Sequence, residues 1–218
     1  MGTHPKAPAV TWTDGKKLSQ LIKDNSTAEL GEKIIKKFGN ELPFLLKILS
    51  VNRALSIQAH PDKSNAEVLH ARDPLHYPDA NHKPEMCIAL TNFTGLCGFR
   101  LAEETAQFTL SVPELTAIIG TDTAQKLREA AQTKSKETYQ RVLKESFAKL
   151  MNSSKDQIKS GVATLVARIQ TAKKAAQNVD HILGDLVLTL NEDFPGDVGI
   201  FVIYFLNHVN LKVGLRYL

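Results

Sequence analysis

The chain has 218 residues, enough for one large domain or two small ones. Its hydrophobic content of 43% and charged content of 23% are typical of soluble globular proteins, and no apolar run approaches the roughly 20 residues that a membrane helix needs. The net charge of +4 is small, and the lysines are interspersed with acidic residues, so we expect neither a nucleic-acid partner nor a membrane partner.

The N-terminus and the cysteines predict a cytoplasmic protein. The first residues lack the basic start and apolar stretch of a signal peptide, and Lys6 stands where a myristoylation signal has Ser or Thr. Cys87 and Cys97 have neither the spacing of a redox pair nor that of a zinc ribbon. We therefore expect both thiols to be buried and reduced.

The first fifty residues predict two helices and a strand. Residues 18–25 and 27–38 carry apolar side chains at helical spacing, and Gly39 ends the second helix. Residues 42–51 are short and nearly all apolar, which favours a buried strand. Lys47 inside this run needs an anionic partner or a cavity, unless it reaches solvent from a sheet edge.

Residues 55–61, with the sequence LSIQAHP, predict a strand with two unlike faces. Side chains alternate along a strand, so the leucine, isoleucine and alanine would face a core. Ser56, Gln58 and His60 would then share the opposite, polar face. A hydroxyl, an amide and an imidazole in one row indicate a site within a β-scaffold.

A second polar segment follows at residues 82–85, where Lys83 and Glu85 are two positions apart. Glu85 could join Gln58 and His60 in holding a metal ion, since amide oxygen, imidazole and carboxylate suit zinc or a similar divalent ion. The amide is an uncommon zinc ligand. The alternative is that His60 is a hydrogen-bonded structural residue.

Other polar residues suggest the kind of substrate. Lys47, Ser56 and Lys83 would suit an anionic, oxygen-rich molecule such as a sugar phosphate, and a lysine with a lowered pKa can also move protons. His82 could take part as well. We interpret His70 and His76 as polar loop residues.

The rest of the chain predicts a helical block between strands. A short helix is expected at 66–71, a loop at 73–83, and strand character at 84–90 and 95–100. Later helices are expected at 126–131, 137–151, 156–176 and 179–190. Residues 200–206 are rich in β-branched and aromatic side chains and predict a strand, with 207–211 also extended.

This order of elements predicts an α+β fold in three parts. Residues 1–101 would form the N-terminal part of a β-domain that carries the candidate metal ligands. Residues 102–191 would form an inserted α-helical domain. Residues 192–218 would return the chain to the β-domain.

Four segments resemble the type I phosphomannose isomerases: residues 55–61 (LSIQAHP), 77–86 (YPDANHKPEM), 95–100 (GLCGFR) and 204–207 (YFLN). The resemblance implies a cupin-type β-barrel, incomplete here, with an inserted helical domain. It implies interconversion of mannose 6-phosphate and fructose 6-phosphate through a cis-enediol, which feeds GDP-mannose synthesis and protein glycosylation. We expect the protein to be a monomer.

The resemblance also assigns roles to individual residues. One zinc ion would be held by Gln58, His60 and Glu85, together with a histidine from a later strand of the family. The substrate pocket would be lined by Lys47, Ser56 and Lys83. The catalytic base would be Lys83, His82 or Lys47, a choice that stays open.

The family continues beyond the segments that match both ends of this chain. The resemblance therefore implies a chain truncated at both ends, without the family's fourth zinc ligand. We expect such a chain to bind zinc weakly and to turn over slowly. One alternative is a non-catalytic truncated isoform that at most binds sugar phosphate or a partner. Another is a helical interaction module built on residues 102–191.

Overall fold

The computed structural model describes residues 1–3, 8–133 and 135–217. The chain divides into two compact units, Met1–Asn52 and Arg53–Leu218. None of the helices in the described ranges is long and apolar enough to cross a membrane.

In its described residues, the first unit contains three short helices in succession. Helix α1 (Leu18–Asp24) confirms the first predicted helix. The second predicted helix is divided into α2 (Ser26–Leu30) and α3 (Glu32–Phe38). Gly31 between them has φ = +78°, a conformation that glycine adopts without strain and that an α-helix does not allow. Gly39 ends α3, as the sequence predicted.

The predicted buried strand at residues 42–51 is wrong. The segment forms neither helix nor strand, its side chains are mostly exposed, and Lys47 is exposed with them. The Leu46 amide donates to the Met1 carbonyl at 2.8 Å, but within the described residues no second strand forms a ladder with the segment. An apolar run without a clear period does not by itself determine secondary structure, because a strand also requires a partner.

The second unit is mainly helical where the structure describes it, with two small sheets among those residues. Its helices are α4 (Lys63–Arg72), α5 (Ala102–Ser111), α6 (Pro113–Ile119), α7 (Thr121–Thr133), α8 (Lys136–Met151), α9 (Lys155–Lys174), α10 (Gly184–Asp193) and α11 (Gly199–Val202). A 3₁₀ turn lies at Asp180–Ile182. Its strands are β1 (Cys87–Ile88), β2 (Phe93–Phe99), β3 (Leu206–Leu211) and β4 (Arg216–Tyr217).

The predicted helices of this unit form, and local capping explains where several begin. Ser135 accepts a hydrogen bond from the Thr138 amide at the start of α8, and Ser154 accepts one from the Gln157 amide at the start of α9. Pro113 occupies the first turn of α6, where its missing amide hydrogen costs nothing.

The helices bury one apolar core in the second unit. Its largest fully buried side chains are Leu115, Ile119, Leu127, Leu150, Leu165, Ile169, Ile182, Ile200, Phe201, Ile203, Tyr204 and Phe205. Tyr204 satisfies its hydroxyl by donating to the Ile182 carbonyl at 3.0 Å. The Phe147 ring packs edge-on against Phe99 and Phe205, which joins the sheet to the helical core.

The predicted strand at residues 200–206 is wrong for all but its last residue. Helix α11 covers Gly199–Val202, a turn follows, and β3 begins at Leu206. The predicted extension at residues 207–211 is confirmed. A run that is apolar on every side fits any deeply buried element, and its composition does not distinguish a short buried helix from a strand.

Strands β2 and β3 pair antiparallel, with Phe93 opposite Leu211 and an irregularity between Cys97 and Phe99. Gly98 at this bulge has φ = +65°. The Asn207 side chain donates to the carbonyls of Cys97, Gly98 and Phe99 at 3.1–3.3 Å. The Asn207 side chain therefore gives hydrogen bonds to the backbone carbonyls at and beside the bulge.

The described chain is thus α+β, and its second sheet is very small. Strand β1 pairs antiparallel with β4, with Cys87 opposite Tyr217. The prediction that both thiols are buried is wrong: Cys87 is exposed and Cys97 is half-buried, although both are free. Cys87 lies on the two-residue strand β1, whose residues are both exposed, so the apolar residues around it in sequence do not bury it.

Candidate metal centre

The first candidate segment, residues 55–61, lies at the surface without forming a strand. The prediction that this segment forms a strand is therefore wrong, because among the described residues no neighbouring strand forms hydrogen bonds with it. Ser56 and Gln58 nevertheless lie together, since Gln58 Nε2 donates to Ser56 Oγ at 3.4 Å. This leaves the Gln58 amide oxygen as the atom able to contact a cation.

The second segment contributes Glu85 two residues before β1. Within it, His82, Lys83 and Glu85 are all exposed. The predicted strand character at 84–90 is confirmed only for the two residues of β1. Glu85 is thus held next to the point where the chain enters a sheet.

The structure brings the two segments together at His60 and Glu85. Nε2 of His60 lies 3.5 Å from Oε1 of Glu85. Two ligand atoms at tetrahedral positions around one zinc ion lie about 3.4 Å apart, given metal–ligand distances near 2.1 Å. The observed separation therefore fits two ligands of one metal ion.

The described residues supply a modest ligand set. They contain no cluster of three histidine, cysteine, aspartate or glutamate side chains that could hold a metal. A site here would consist of one imidazole, one carboxylate and the Gln58 amide. This donor set suits a borderline divalent cation such as zinc, although it is weaker than a set of three histidines or thiolates.

Helix α4 lies between the two segments in sequence, and its side chains contact the loop that follows it. Asp62 caps it by accepting from the Asn65 amide at 2.9 Å, and this bond, followed by one from Ser64, lowers the Asp62 pKa. Nζ of Lys63 donates to Asn81 Oδ1 at 2.8 Å. The sequence predicted a helix here, but gave no sign that Lys63 reaches the second segment.

His70 and His76 make local contacts of the kind expected for polar loop residues. Nδ1 of His70 lies 2.6 Å from the Tyr77 carbonyl oxygen, to which it can donate. Nδ1 of His76 lies 2.9 Å from a carboxylate oxygen of Asp73. Both histidines therefore order the loop rather than the metal centre.

The chain just before residues 55–61 is anchored to the end of α10. The Ala54 amide donates to Asp193 Oδ2 at 2.8 Å, and Arg53 Nε donates to Asp193 Oδ1 at 3.0 Å. The hydrogen bond from Ala54, and secondarily the one from Arg53, lowers the Asp193 pKa below its ordinary value. Sequence analysis missed this anchor, since its partners are far apart in the chain.

Lys47 belongs to the first unit, where it is exposed in a segment without helix or strand. The prediction that it lies buried in a strand is wrong. The other candidates, Ser56, His82 and Lys83, belong to the second unit with His60 and Glu85.

Two family models match the chain. Residues 1–102 match the catalytic domain of type I phosphomannose isomerase, and residues 118–206 match the helical insertion domain of the same family. The helical match covers α7 to α11 and their core. The catalytic match includes both segments of the candidate metal centre.

Relatives agree with these models. The chain is 46% identical over 217 residues to a mannose-6-phosphate isomerase from Macaca fascicularis and 43% identical over 223 residues to one from Saccharomyces cerevisiae. Each comparison covers 98% of this chain and 51–52% of the relative. The chain therefore spans about half the length of these curated relatives.

Solved structures agree as well. The chain superposes on a point mutant of phosphomannose isomerase from Salmonella typhimurium with a TM-score of 0.76 and 30% identity, covering 99% of this chain and 52% of that one. A zinc-bound mannose 6-phosphate isomerase gives a TM-score of 0.74 and 30% identity, covering 99% of this chain and 53% of that one. Fold and ligand pair define an α+β chain with a helical insertion and a candidate metal centre. The chain belongs to the type I phosphomannose isomerase family.

Proposed function

We propose that this chain carries part of a zinc-dependent aldose–ketose isomerase that interconverts mannose 6-phosphate and fructose 6-phosphate. The observation that carries the proposal is the approach of His60 to Glu85 within the two segments that resemble the family. Relatives named mannose-6-phosphate isomerase and a zinc-bound structure of that enzyme support it.

We assign the zinc ligands to Gln58, His60 and Glu85. When bound, zinc would offset negative charge that develops on the substrate oxygens. The three ligands lie at the surface of the second unit, so a sugar phosphate could reach them from solvent.

The proposed reaction moves one proton between the first two carbons of the sugar. A base removes the proton from carbon 2 of the aldose while oxygen 1 gains a proton, which gives a cis-enediol. A proton is then returned to carbon 1 while the hydroxyl on carbon 2 loses its proton, which gives the ketose. His82 and Lys83 are candidate bases because they belong to the same segment as the proposed ligand Glu85 and are exposed. Lys47 is a third candidate, which the family resemblance supports.

The proposed substrate-binding residues are Lys47, Ser56 and Lys83. Ammonium groups suit the phosphate of the substrate, and the Ser56 hydroxyl, which already accepts from Gln58, could also bond a sugar oxygen. We also propose a cupin-type barrel for the whole protein, with the helical insertion at residues 102–191. A cytoplasmic monomer that supplies GDP-mannose synthesis is consistent with the family.

An isomerase assay of the purified chain with added zinc tests this function. We expect slow conversion of mannose 6-phosphate to fructose 6-phosphate, because three ligands that include an amide hold zinc weakly. His60→Asn should abolish it. His181→Asn, at an exposed histidine of the 3₁₀ turn, should leave it unchanged.

A second candidate function is binding of sugar phosphate without turnover. It is favoured by the small ligand set of the described residues, with one histidine and one carboxylate at the site. Calorimetric binding of mannose 6-phosphate without isomerisation would support this function and contradict the first.

A further inference from the structure

Lys63, the first residue of α4, contacts the loop that leads to the second ligand segment. Its Nζ donates to Asn81 Oδ1 at 2.8 Å and lies 3.5 Å from the Ala80 carbonyl oxygen. It also lies 3.2 Å from Glu67 Oε1, one helical turn further along α4. A single ammonium group therefore links the helix to the loop at two neighbouring residues.

Both partners of this contact lie close in sequence to the proposed metal ligands. Lys63 follows His60 by three residues, and Asn81 precedes Glu85 by four. The contacts Lys63–Asn81 and His60–Glu85 thus close a small ring at its two ends. Without the Lys63–Asn81 contact, His60 and Glu85 are joined by a loop of about 26 residues, 60–85. With the contact, the ring consists only of residues 60–63 and 81–85, about nine residues.

The stability of α4 alone does not explain a lysine here. The first turn of a helix favours acidic side chains, since the amide ends carry partial positive charge, and a lysine there opposes the helix dipole. The first turn of α4 contains no acidic residue, and Asp62 provides the cap. The i,i+4 pair with Glu67 is half-exposed, and such pairs stabilise a helix only slightly.

We propose that Lys63 is a positioning residue that holds the two metal-ligand segments together. This inference rests on the proposed metal site. Shortening a flexible loop from about 26 to about nine residues raises the probability that its ends meet about fivefold. Helix α4 already orders part of the loop, so loss of the contact should weaken metal binding by about two- to fivefold.

The test compares three variants of the full chain: Lys63→Met, Lys63→Arg and Lys144→Met. Methionine keeps the length of the side chain but cannot donate, arginine can still donate to Asn81, and Lys144 is an exposed lysine within α8. Cobalt(II), whose visible absorption reports its coordination, serves as the probe. We expect weaker cobalt binding in Lys63→Met, recovery in Lys63→Arg, and parental binding in Lys144→Met.

A second measurement on the metal-free chain separates this inference from the proposed function. Backbone amide {¹H}–¹⁵N NOE values at Asn81, His82, Lys83 and Glu85 report nanosecond motion of the ligand segment. They should fall in Lys63→Met and stay at the parental level in Lys63→Arg. If the parent chain binds no cobalt, the proposed metal site fails, while the NOE values still decide whether Lys63 orders the segment.

Asn81→Ala tests the same contact from the other side, should Lys63→Met fail to fold. It should weaken cobalt binding to a similar extent, and the double variant with Lys63→Met should lose no more than either single variant. Parental cobalt binding and NOE values in Lys63→Met would overturn the inference. Additive losses in the double variant would also overturn it.

Discussion

His60 Nε2 lies 3.5 Å from Glu85 Oε1, although a helix and a loop separate these residues in the chain. The Glu85 side chain is 71% exposed, so the pair by itself contributes little to stability. A function in metal binding gives a reason for this placement that folding stability does not. The second unit, which includes the capped α4 and the buried helical core, is the scaffold that carries this pair.

The ion pair between Glu114 and Arg168 should stabilise the helical core. Arg168 donates to both carboxylate oxygens of Glu114 at 2.8 Å, and the Glu114 side chain is only 5% exposed. Arg168→Met would leave a buried carboxylate without its partner. We expect a loss of about 2–4 kcal/mol in the free energy of unfolding by urea, less than for a fully buried pair because Arg168 is partly exposed.

Arg141→Met, at an exposed site on α8, is the matched control and should change stability by less than about 0.5 kcal/mol. Adding Glu114→Gln to Arg168→Met removes the unpaired charge and should restore part of the loss. If the double variant is less stable than Arg168→Met alone, this account of the pair is wrong.

Gly184 at the start of α10 should tolerate no side chain. A Cβ built there would lie 2.5 Å from Cγ2 of Val179 and 3.2 Å from Cγ2 of Ile169, both within the buried core. Gly184→Ala should therefore lower the free energy of unfolding by about 1–3 kcal/mol. Gly95→Ala in β2, where the nearest atom is 3.7 Å away, should change it by less than about 0.5 kcal/mol. Equal effects at the two sites would contradict this packing argument.

His208 on β3 should make stability depend on pH. Burial, and secondarily the charge of Arg100, lowers its pKa below the ordinary value of 6.5. As the pH falls below 6.5, the unfolded chain takes up a proton that the folded chain resists, so stability decreases until the pH reaches the folded pKa. Above 6.5 this contribution to stability is constant.

Urea unfolding midpoints at pH 8 and pH 5.5 measure this effect. The parent chain should lose more stability between the two values than His208→Gln, and His181→Gln, at an exposed histidine, should follow the parent. An unchanged pH dependence in His208→Gln would show that His208 does not contribute.

Sequence periodicity was sufficient for the helices and insufficient for the apolar segments. Helices α8 and α9 carry amphipathic stripes and serine caps, so local signals determine them. Residues 42–51 and 200–206 are apolar without a period, and tertiary context made one an exposed coil and the other mainly a buried helix and turn. A strand also depends on a partner elsewhere in the chain, which no local pattern specifies.

The candidate site shows the same limit. The residue types at Gln58, His60 and Glu85 indicated metal chemistry, and the structure placed His60 beside Glu85 without the strand that was expected to position it. Lys63 and Asp193 contact the chain near these ligands through partners distant in sequence. Because local spacing does not encode such contacts, only the folded chain reveals them.

Zinc titration of the purified chain tests the central claim that His60 and Glu85 are ligands of one metal ion. The parent should bind one zinc ion per chain. His60→Asn and Glu85→Gln should each weaken zinc binding by more than about 100-fold. Loss of a residue that only hydrogen-bonds to a ligand weakens metal binding by about 10- to 100-fold, so a larger loss identifies a direct ligand. Glu103→Gln, at an exposed acid of α5, should bind as the parent does. Parental zinc affinity in either His60→Asn or Glu85→Gln would contradict the account.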